Sequence, residues 1–471
     1  MSLHSRWQSA MGSLCLLGAL ASGCHSDGSD PANTRHVTAQ AEAPGPKIGQ
    51  ELQGTGQACT THTYFVATDG SDANVGTIDE PFATISHAIA QVDAGDTIYV
   101  RGGTYAISQS ILLSTDGDED EPIRLLAYQD EVPILDFASN PRHANPPQPR
   151  DDDSLAGTGD AVGLLVLGSW WRVEGLTVRN TPYYGVRVYG SHNRFEQLTI
   201  HDSKASGLEI TGKDGYTPSY NVVSNSDSFH NFDPQSKGED ADGFAAKFDG
   251  LGPGNAFRRT RAWSNSDDGY DLWHGAYPIT IEECWAFDNG FNRPEWAAQI
   301  SGSFQGDGMG FKLGQQTSEI DLDRVVAFGN KGFGIDENGN GSIGGVVIRH
   351  ATLVNNTKNG NPIQISLNDG SPHSVVNTLA FDVDGPGVTQ ISGPVNQPSN
   401  SWNSAVTVTA ADFLSVDTPT LITQASAPRG LDGALPPIDL RLSATSDLID
   451  SGLDLNRPYQ GSGPDFGAFE D

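Results

Sequence analysis

The stretch RAWSNSDDGYDLW, residues 261–273, contains two short strands joined by a polar turn, and this pattern recurs along the chain. The first strand closes on Asn265, and Gly269 opens the second. Segments that close in this way end at Asn180, Asp202, Asn231, Asn265, Asn289, Asn330 and Asn356. Second strands that begin with Gly follow them after a variable gap. Where nothing is inserted, the period is about 22 to 26 residues, the length of one coil of a parallel β-solenoid.

Stacked coils would explain the alternating apolar residues and the recurring Asn. Coils about 4.8 Å apart would bury the alternate apolar side chains in one core, and Asn at a fixed turn would hydrogen-bond its counterparts in neighbouring coils. We therefore predict an all-β fold, a right-handed parallel β-helix. Before the first coils, EPFATISHAIAQV predicts an amphipathic helix that starts at a proline and caps the open end of the solenoid. Its apolar face would hold Phe82, Ile85, Ile89 and Val92.

Aligning the second strands on their Gly predicts which side chains stack. The residue after each Gly is largely apolar and faces inward, so the next one faces outward. The outward positions are Arg187, Glu209, Ala245, Asp271 and Lys312, and the residues before each Gly are Tyr184, Ser206, Asp242, Asp268 and Met309. Asp271 and Lys312 should therefore be neighbours on adjacent coils. Asp242 and Asp268 should lie one coil apart at the same edge, with Asp267 beside them.

Four carboxylates, those of Asp242, Asp267, Asp268 and Asp271, should thus converge on one outer patch. At coil spacing each like-charge pair repels by about 3 kcal/mol at an effective dielectric of about 20. A divalent cation with oxygen ligands would relieve this, and Ca²⁺ suits irregular carboxylate sets better than magnesium or zinc. A cation would also lower the pKa of Lys312, so we expect an unpaired amine that acts as a base. A calcium that only links the coils is the structural alternative.

Two enlarged loops predict a groove at the same corner. The gaps before Gly243 and before Gly310 are longer than those in the other coils. The second loop carries Arg293 and Trp296, which are suited to gripping a carboxylate and stacking on a sugar ring. Lys247 faces outward between two of the acids and is a candidate for binding a substrate carboxylate, or a surface lysine.

The charge balance excludes some partners. The 471 residues include 59 acidic and 27 basic side chains, a formal charge of −32, so nucleic acid and anionic membrane surfaces are poor partners. A calcium patch beside a lysine base predicts β-elimination of a uronic-acid polymer: the metal binds the uronate carboxylate, Lys312 removes the C5 proton, and the C4 oxygen leaves. The metal would also reconcile an acidic protein with an acidic polysaccharide. We expect a monomer.

Two motifs carry a resemblance to a known family. GEDADGFAAKFDGLGPGNAFRRTRAWSNSDDGYDLW, residues 238–273, and GMGFKLG, residues 308–314, resemble the core of polysaccharide lyase family 9. The resemblance covers nearly everything from about residue 60 onward. It implies cleavage of polygalacturonate, with calcium held by Asp242, Asp267, Asp268 and Asp271 and with Lys312 as the base. The loop before Lys312 is longer than expected for the family, which leaves endo or exo action open.

Three other functions stay open on the residues alone. A polygalacturonase hydrolase also uses a β-helix with paired acids, but it would need neither Lys312 nor calcium. A non-catalytic polysaccharide-binding surface protein would keep the calcium and tolerate the loss of Lys312. A lyase acting on another acidic glycan, such as alginate or rhamnogalacturonan, would share the mechanism.

The N-terminus predicts export. Arg6, the apolar run GSLCLLGALA and ASGC, which ends at Cys24, resemble a bacterial lipoprotein signal, so residues 1–24 are expected to be a signal peptide with lipidation at Cys24. Plain secretion is the alternative. Residues 25–58 predict a flexible tether, and residues 59–471 the β-helix domain. The protein would then be secreted, or a surface or outer-membrane lipoprotein of a bacterium that touches the membrane only through its lipid. Cys59 and Cys284 would pair in an oxidising compartment, but a buried free thiol at Cys284 is the favoured interpretation.

Overall fold

The protein is a parallel β-helix, and successive coils contribute strands to the same three sheets. The computed structural model describes residues 61–143, 159, 161–314, 319–338, 344–367, 372–385 and 389–470. Strands of successive coils pair in parallel, with one coil of each sheet hydrogen-bonded to the next. The predicted all-β solenoid is confirmed.

The strands fall into three long sheets. Sheet 1 consists of Thr63–Val66, Thr97–Val100, Ile123–Ala127, Trp171–Glu174, Arg194–Glu196, Val222–Ser224, Asn255–Arg258, Ile279–Glu282, Ile320–Asp323, Val346–Arg349 and Ser374–Val376. Sheet 2 consists of Gly103–Ala106, Pro133–Asp136, Thr177–Arg179, Thr199–His201, Asp227–Phe229, Arg261–Trp263, Trp285–Phe287, Val326–Phe328, Thr352–Val354 and Leu379–Phe381. Sheet 3 consists of Ile111–Leu113, Leu164–Val166, Val186–Val188, Leu208–Thr211, Phe244–Lys247, Tyr270–Asp271, Phe311–Lys312, Ile335–Asp336, Ile365–Leu367 and Thr389–Ile391. A separate antiparallel hairpin pairs Thr357–Lys358 with Asn361–Pro362.

The inward column of sheet 3 is the one that the glycine alignment predicts. Its members are fully buried in one continuous apolar core: Val186, Leu208, Phe244, Tyr270 and Phe311. Consecutive members are also paired in register between coils. The alternation therefore fixes which side chains leave the core at the next position.

An asparagine ladder joins the coils at the turn between sheets 2 and 3. The side-chain amide of Asn265 donates to Oδ1 of Asn289 at 3.0 Å, and that of Asn289 donates to Oδ1 of Asn330 at 2.9 Å. Asn231 and Asn356 extend the ladder at its two ends with contacts of 2.8 Å. All five amides are buried, so the ladder satisfies polar groups that would otherwise be stranded in the core.

The first two predicted ladder positions are wrong by one residue. Asn180 and Asp202 have φ of 56° and 57°, so they occupy the left-handed residue before the ladder position. The ladder position is held by Ser203, whose N–H donates to Oδ1 of Asn231 at 3.0 Å. Asn and Asp tolerate left-handed backbone better than most residues. An Asn or Asp at the end of the first strand can therefore occupy either the ladder position or the left-handed position before it.

Three short α-helices accompany the sheets within the residues that the structure describes. They are α1 (Ile85–Ile89), α2 (Pro294–Ala297) and α3 (Thr418–Ala425), and 3-10 turns lie at Phe137–Ser139, Pro141–His143 and Ala410–Asp412. Helix α1 begins later than predicted, because Oγ1 of Thr84 caps it by accepting from the N–H of His87 and Phe82 instead forms a bridge with Val66. The predicted apolar face is nevertheless buried. A capping role for α1 stays a prediction.

The C-terminal segment covers the outer face of sheet 2. Leu421 of α3 packs in one apolar cluster with Trp285 and Phe328, and Arg261 of sheet 2 donates to the carbonyl of Ala425 at 2.5 Å. Stacked aromatic rings run under this cover, with 5.0 Å between the ring centroids of Phe287 and Phe328. This segment therefore buries the outward side chains of the later strands of sheet 2.

The export signals lie outside the described residues. These are the signal peptide of residues 1–24 with Cys24, the tether of residues 25–58, and Cys59, and they stay predictions. Cys284 is a buried free thiol. No helix within the described ranges is long and apolar enough to cross a membrane.

Candidate active site

The outward positions of sheet 3 stack as predicted. Asp271 pairs directly with Lys312 on the next coil and with Ala245 on the coil before. At the strand edge, the N–H of Gly243 donates to the carbonyl of Asp268 at 3.0 Å. The two acid-bearing edges therefore lie one coil apart, as the alignment requires.

The glycine that opens each second strand lets coils approach closely. A Cβ on Gly269 would lie 2.6 Å from the carbonyl oxygen of Gly310 and 2.8 Å from Cβ of Ala286. A side chain there would force the coils apart. Glycine therefore lets Asp268, directly before it, and Asp271, two residues after it, lie close to the next coil.

Three carboxylates meet at this corner. One oxygen each from Asp242, Asp268 and Asp271 lies within 4.8 Å of the other two. All three residues are buried. Oδ2 of Asp242 accepts from Oγ of Ser206 at 2.9 Å, and Oδ1 of Asp268 accepts from the N–H of Met309 at 2.7 Å. These bonds fix the direction in which the remaining oxygens point.

Two lysines enter the same cluster. Nζ of Lys247 lies 2.8 Å from Oδ2 of Asp242 and 2.6 Å from Oδ2 of Asp271. Nζ of Lys312 lies 3.0 Å from Oδ2 of Asp268 and 3.8 Å from Oδ2 of Asp271. Lys312 is thus ion-paired with the carboxylates themselves, and an amine left unpaired by a bound cation stays a prediction. Lys247 is likewise a member of the cluster and not a surface lysine.

Asp267 lies beside the three clustered acids but faces the enlarged loops. Its Oδ2 accepts from the N–H of Asp240 at 2.9 Å, and its Oδ1 accepts from the N–H of Asp307 at 2.7 Å. It is not one of the three residues whose oxygens lie within 4.8 Å of one another. Its carboxylate joins the two loops to the coil, and its role as a fourth metal ligand stays a prediction.

Burial and charge set the protonation of these groups. Burial raises the pKa of Asp267 to about 7, and burial together with the charge of Asp267 raises the pKa of Asp268 well above its ordinary value. Burial alone would lower the pKa of Lys312, but Asp268 and Asp271 outweigh it and raise that pKa well above the ordinary value. The lysine is thus held protonated until the negative charge around it is neutralised.

The donor set fits a hard divalent cation. Oδ2 of Asp268 is buried and accepts no hydrogen bond within the described residues, although Nζ of Lys312 lies 3.0 Å away. A buried carboxylate oxygen without a hydrogen bond is costly, and the Lys312 ammonium offsets this cost only as an ion pair. When all three carboxylates are ionised they face two ammonium groups, which leaves one negative charge before Asp267 is counted. Carboxylate oxygens are the ligands that Ca²⁺ prefers.

The cluster opens into a cleft of about 560 Å³. Four of the residues assigned from the sequence line it, namely Lys247, Asp267, Asp271 and Lys312. Further residues that were not assigned from the sequence also line it: Tyr183, Tyr184, Glu209, Lys213, Glu239, Asp240, Phe248, Trp273, Asp307 and Asn338. Alternation alone places Trp273 outward, two positions after Asp271, so the sequence pattern predicts it as a lining residue. Most of the others lie in turns beyond the strand ends, where no period applies.

Two predicted substrate-binding residues do not reach this cleft. Trp296 in α2 is buried, and its ring stacks on Phe232 at 4.8 Å between centroids. Arg293 is paired with Asp288 at 2.5 Å. The loop therefore folds its aromatic ring and its guanidinium back against the solenoid. The positions of Arg293 and Trp296 do not support the predicted roles in gripping a carboxylate and stacking on sugar.

Comparisons with known proteins agree on one group. The family model described as "Pel9A-like, right handed beta helix region" matches residues 64–377, which confirms the predicted right hand. Pectate lyase L of Dickeya dadantii (strain 3937) is 36% identical over 425 residues, covering 87% of this chain and 91% of that protein.

Solved structures give the same grouping. The crystal structure of pectate lyase Pel9A is similar with a TM-score of 0.73 and 34% identity, over 87% of this chain and 96% of that one. A rhamnogalacturonan lyase structure is similar with a TM-score of 0.66 and 25% identity, over 81% of this chain and 97% of that one.

Proposed function

The chain belongs to the Pel9A-like family of right-handed β-helix proteins, and from this membership we infer that it is a pectate lyase, an enzyme that cleaves polygalacturonate. Its relationship to proteins named pectate lyase, over 87% of its length, supports the activity. The single observation that carries the finer proposal is the convergence of three aspartates and Lys312 in one cluster that opens into the cleft.

The proposed reaction is β-elimination with Lys312 as the base. The neutral amine takes the C5 proton of a galacturonate unit, the electrons of that C–H bond form the C4–C5 double bond, and the C4–O glycosidic bond breaks. The departing oxygen takes up a proton from water, Lys312 returns its proton to solvent, and one product carries an unsaturated sugar end. Asp268 and Asp271 position the Lys312 amine at the floor of the cleft.

Asp242, Asp268 and Asp271 would hold Ca²⁺, with Asp267 as a further candidate ligand. When bound, the ion would neutralise these carboxylates, withdraw charge from the uronate carboxylate and lower the pKa of the neighbouring lysine amine. Lys247 pairs with two of the same carboxylates and keeps them oriented. The chain is thereby suited to an acidic polymer despite its charge of −32.

A second candidate is a lyase acting on rhamnogalacturonan. The observation that favours it is the similarity to the structure of a rhamnogalacturonan lyase over 81% of this chain. The lower identity, 25% against 34% for pectate lyase Pel9A, makes it the second choice.

One assay separates these functions. Release of products with the ultraviolet absorbance of a conjugated unsaturated uronate is followed on polygalacturonate, methylated pectin, rhamnogalacturonan and alginate, each with calcium and with a chelator. We expect the fastest release on polygalacturonate and none with the chelator. Faster release on rhamnogalacturonan would favour the second candidate, and no unsaturated product on any polymer would reject the lyase proposal.

A further inference from the structure

A second cleft lies next to the candidate active site, and Asp307 borders both. This cleft has a volume of about 510 Å³. On one side, the N–H of Asp307 donates to Oδ1 of Asp267 at 2.7 Å. On the other side, its carboxylate accepts from Nζ of Lys358 at 3.0 Å. The two clefts therefore share Asp307 as a lining residue.

The second cleft is positive in a strongly negative protein. Lys331 and Lys358 line it together with a single carboxylate, that of Asp307. Nζ of Lys331 donates to the carbonyl of Gly306, a neutral partner. The side chains that line the first cleft include six acids and three lysines. One positive charge is thus left over in the second cleft, while the protein as a whole carries −32.

The two lysines are held by ordered backbone. Lys358 lies in the hairpin that pairs it with Asn361, and the two residues of the turn, Asn359 and Gly360, have φ of 53° and 76°. Such a pair of left-handed residues is typical of a tight two-residue hairpin turn. The N–H of Lys331 donates to the carbonyl of Asn289, a member of the asparagine ladder, at 3.0 Å. Both ammonium groups are therefore presented at defined places.

Aromatic rings complete the cleft. Nζ of Lys331 lies 5.2 Å from the ring centroid of Phe304, and Nζ of Lys358 lies 5.8 Å from that of Phe333. Phe291 also lines the cleft and is 40% exposed. An exposed aromatic ring beside two cations offers a stacking surface for a sugar and charge for its carboxylate.

We propose that this second cleft binds a galacturonate unit of the same polysaccharide, remote from the bond that is cleaved at Lys312. Lys331 and Lys358 bind its carboxylate, and Phe291 packs against its ring. This inference rests on the proposed function, because it takes the polymer to be polygalacturonate. Long chains then contact both clefts and bind more tightly than the shortest cleavable oligomers, which contact only the first cleft.

The test compares the double variant Lys331→Gln/Lys358→Gln with wild type on oligogalacturonides of increasing length and on polygalacturonate. Arg194→Gln is the control, since it removes an exposed charge from sheet 1. We expect the KM of the double variant for the polymer to rise by about fivefold, the order expected from two partly buried charge contacts, with kcat unchanged. Its KM for the shortest cleaved oligomers should equal that of wild type. A wild-type KM at every length would overturn the proposal.

A binding measurement keeps this test separate from the proposed function. Affinity for polygalacturonate, measured by calorimetry with calcium in a Lys312→Ala background, needs no turnover. A loss of affinity on adding the two Gln substitutions supports the subsite, and equal affinity overturns it. If wild type cleaves no uronate polymer, the proposed function fails while this comparison still decides the subsite.

Discussion

Nζ of Lys312 lies closer to Asp268 than to Asp271, at 3.0 Å against 3.8 Å, although Asp271 is its direct partner in the sheet. The lysine side chain extends beyond Asp271, its partner in sheet 3, to Asp268, the residue before Gly269. Its amine therefore lies between two carboxylates from one turn of the preceding coil. The proton affinity of Lys312 consequently depends on the charge state of both.

Lys312→Ala should abolish turnover while the fold survives. The proposed mechanism has no other base at this position, so we expect kcat on polygalacturonate to fall by about 10³-fold or more. The measurement is release of unsaturated uronate, with circular dichroism and Tm as checks on the fold. Lys312→Arg is the matched control, because arginine keeps the charge beside Asp268 but cannot give up its proton. Near-normal activity in either variant would remove the base assignment.

Calcium affinity should separate the three clustered aspartates from Asp267. Asp268→Asn removes a charged oxygen from the group that lies within 4.8 Å, so we expect calcium affinity to fall by more than about tenfold. Asp267→Asn changes a residue whose oxygens already accept two backbone N–H groups, and a smaller loss is expected. Calorimetric titration with Ca²⁺ measures both. Equal losses would make Asp267 a fourth ligand, as the sequence argument expected.

Without calcium, Asp267 should make the protein less stable as the pH rises. Burial raises its folded-state pKa to about 7 from an ordinary value of 3.8, so the folded state binds more protons than the unfolded state in that interval. The contribution of Asp267 to stability is therefore present at low pH and is lost as the pH approaches 7. In chelator, the Tm of wild type should fall relative to that of Asp267→Asn between about pH 4 and about pH 8. Parallel pH profiles of Tm in the two proteins would contradict this assignment.

The repeat predicted most of the fold because the contacts that define it lie within one coil and between neighbouring coils. One Gly and one Asn per coil, combined with alternation, determine which residues face the core, which face out and which stack between coils. For that reason Asp271 and Lys312 are direct partners, as the alignment predicted. The predicted ladder position is wrong only at Asn180 and Asp202, because Asn and Asp suit two adjacent turn positions.

The parts of the site that the sequence did not predict depend on side-chain direction and on loops. Alignment placed Lys247 outward, but it did not show that its amine would turn to Asp242 and Asp271. The loop of residues 290–309 has no repeat to phase it, so nothing in its composition indicated that Trp296 would stack on Phe232. In a loop without a repeat, the sequence does not distinguish an aromatic residue that packs inward from one that faces a ligand.

Asn289→Ala should lower stability more than a surface substitution. Asn289 is fully buried, and its side chain accepts from Asn265 and donates to Asn330. Removing it leaves buried groups on both neighbouring coils without partners, so we expect the free energy of unfolding to fall by about 2–4 kcal/mol. Urea denaturation measures this. Asn292→Ala, at an exposed position, is the control and should change stability by less than about 0.5 kcal/mol; similar losses in both variants would mean that the ladder adds nothing.

Trp273, rather than Trp296, should have the sugar-stacking role that the sequence suggested for the loop tryptophan. Trp273 lines the cleft two residues after Asp271, so Trp273→Ala should raise the KM for polygalacturonate by about tenfold through the loss of a stacking surface. Trp296 is buried against Phe232, so Trp296→Ala should leave KM near that of wild type and lower the free energy of unfolding by about 3 kcal/mol. Steady-state kinetics and urea denaturation on both variants separate the two effects. A raised KM in the properly folded Trp296→Ala protein would restore the sugar-binding role to the loop, since burial of the ring would then not describe the protein with substrate bound.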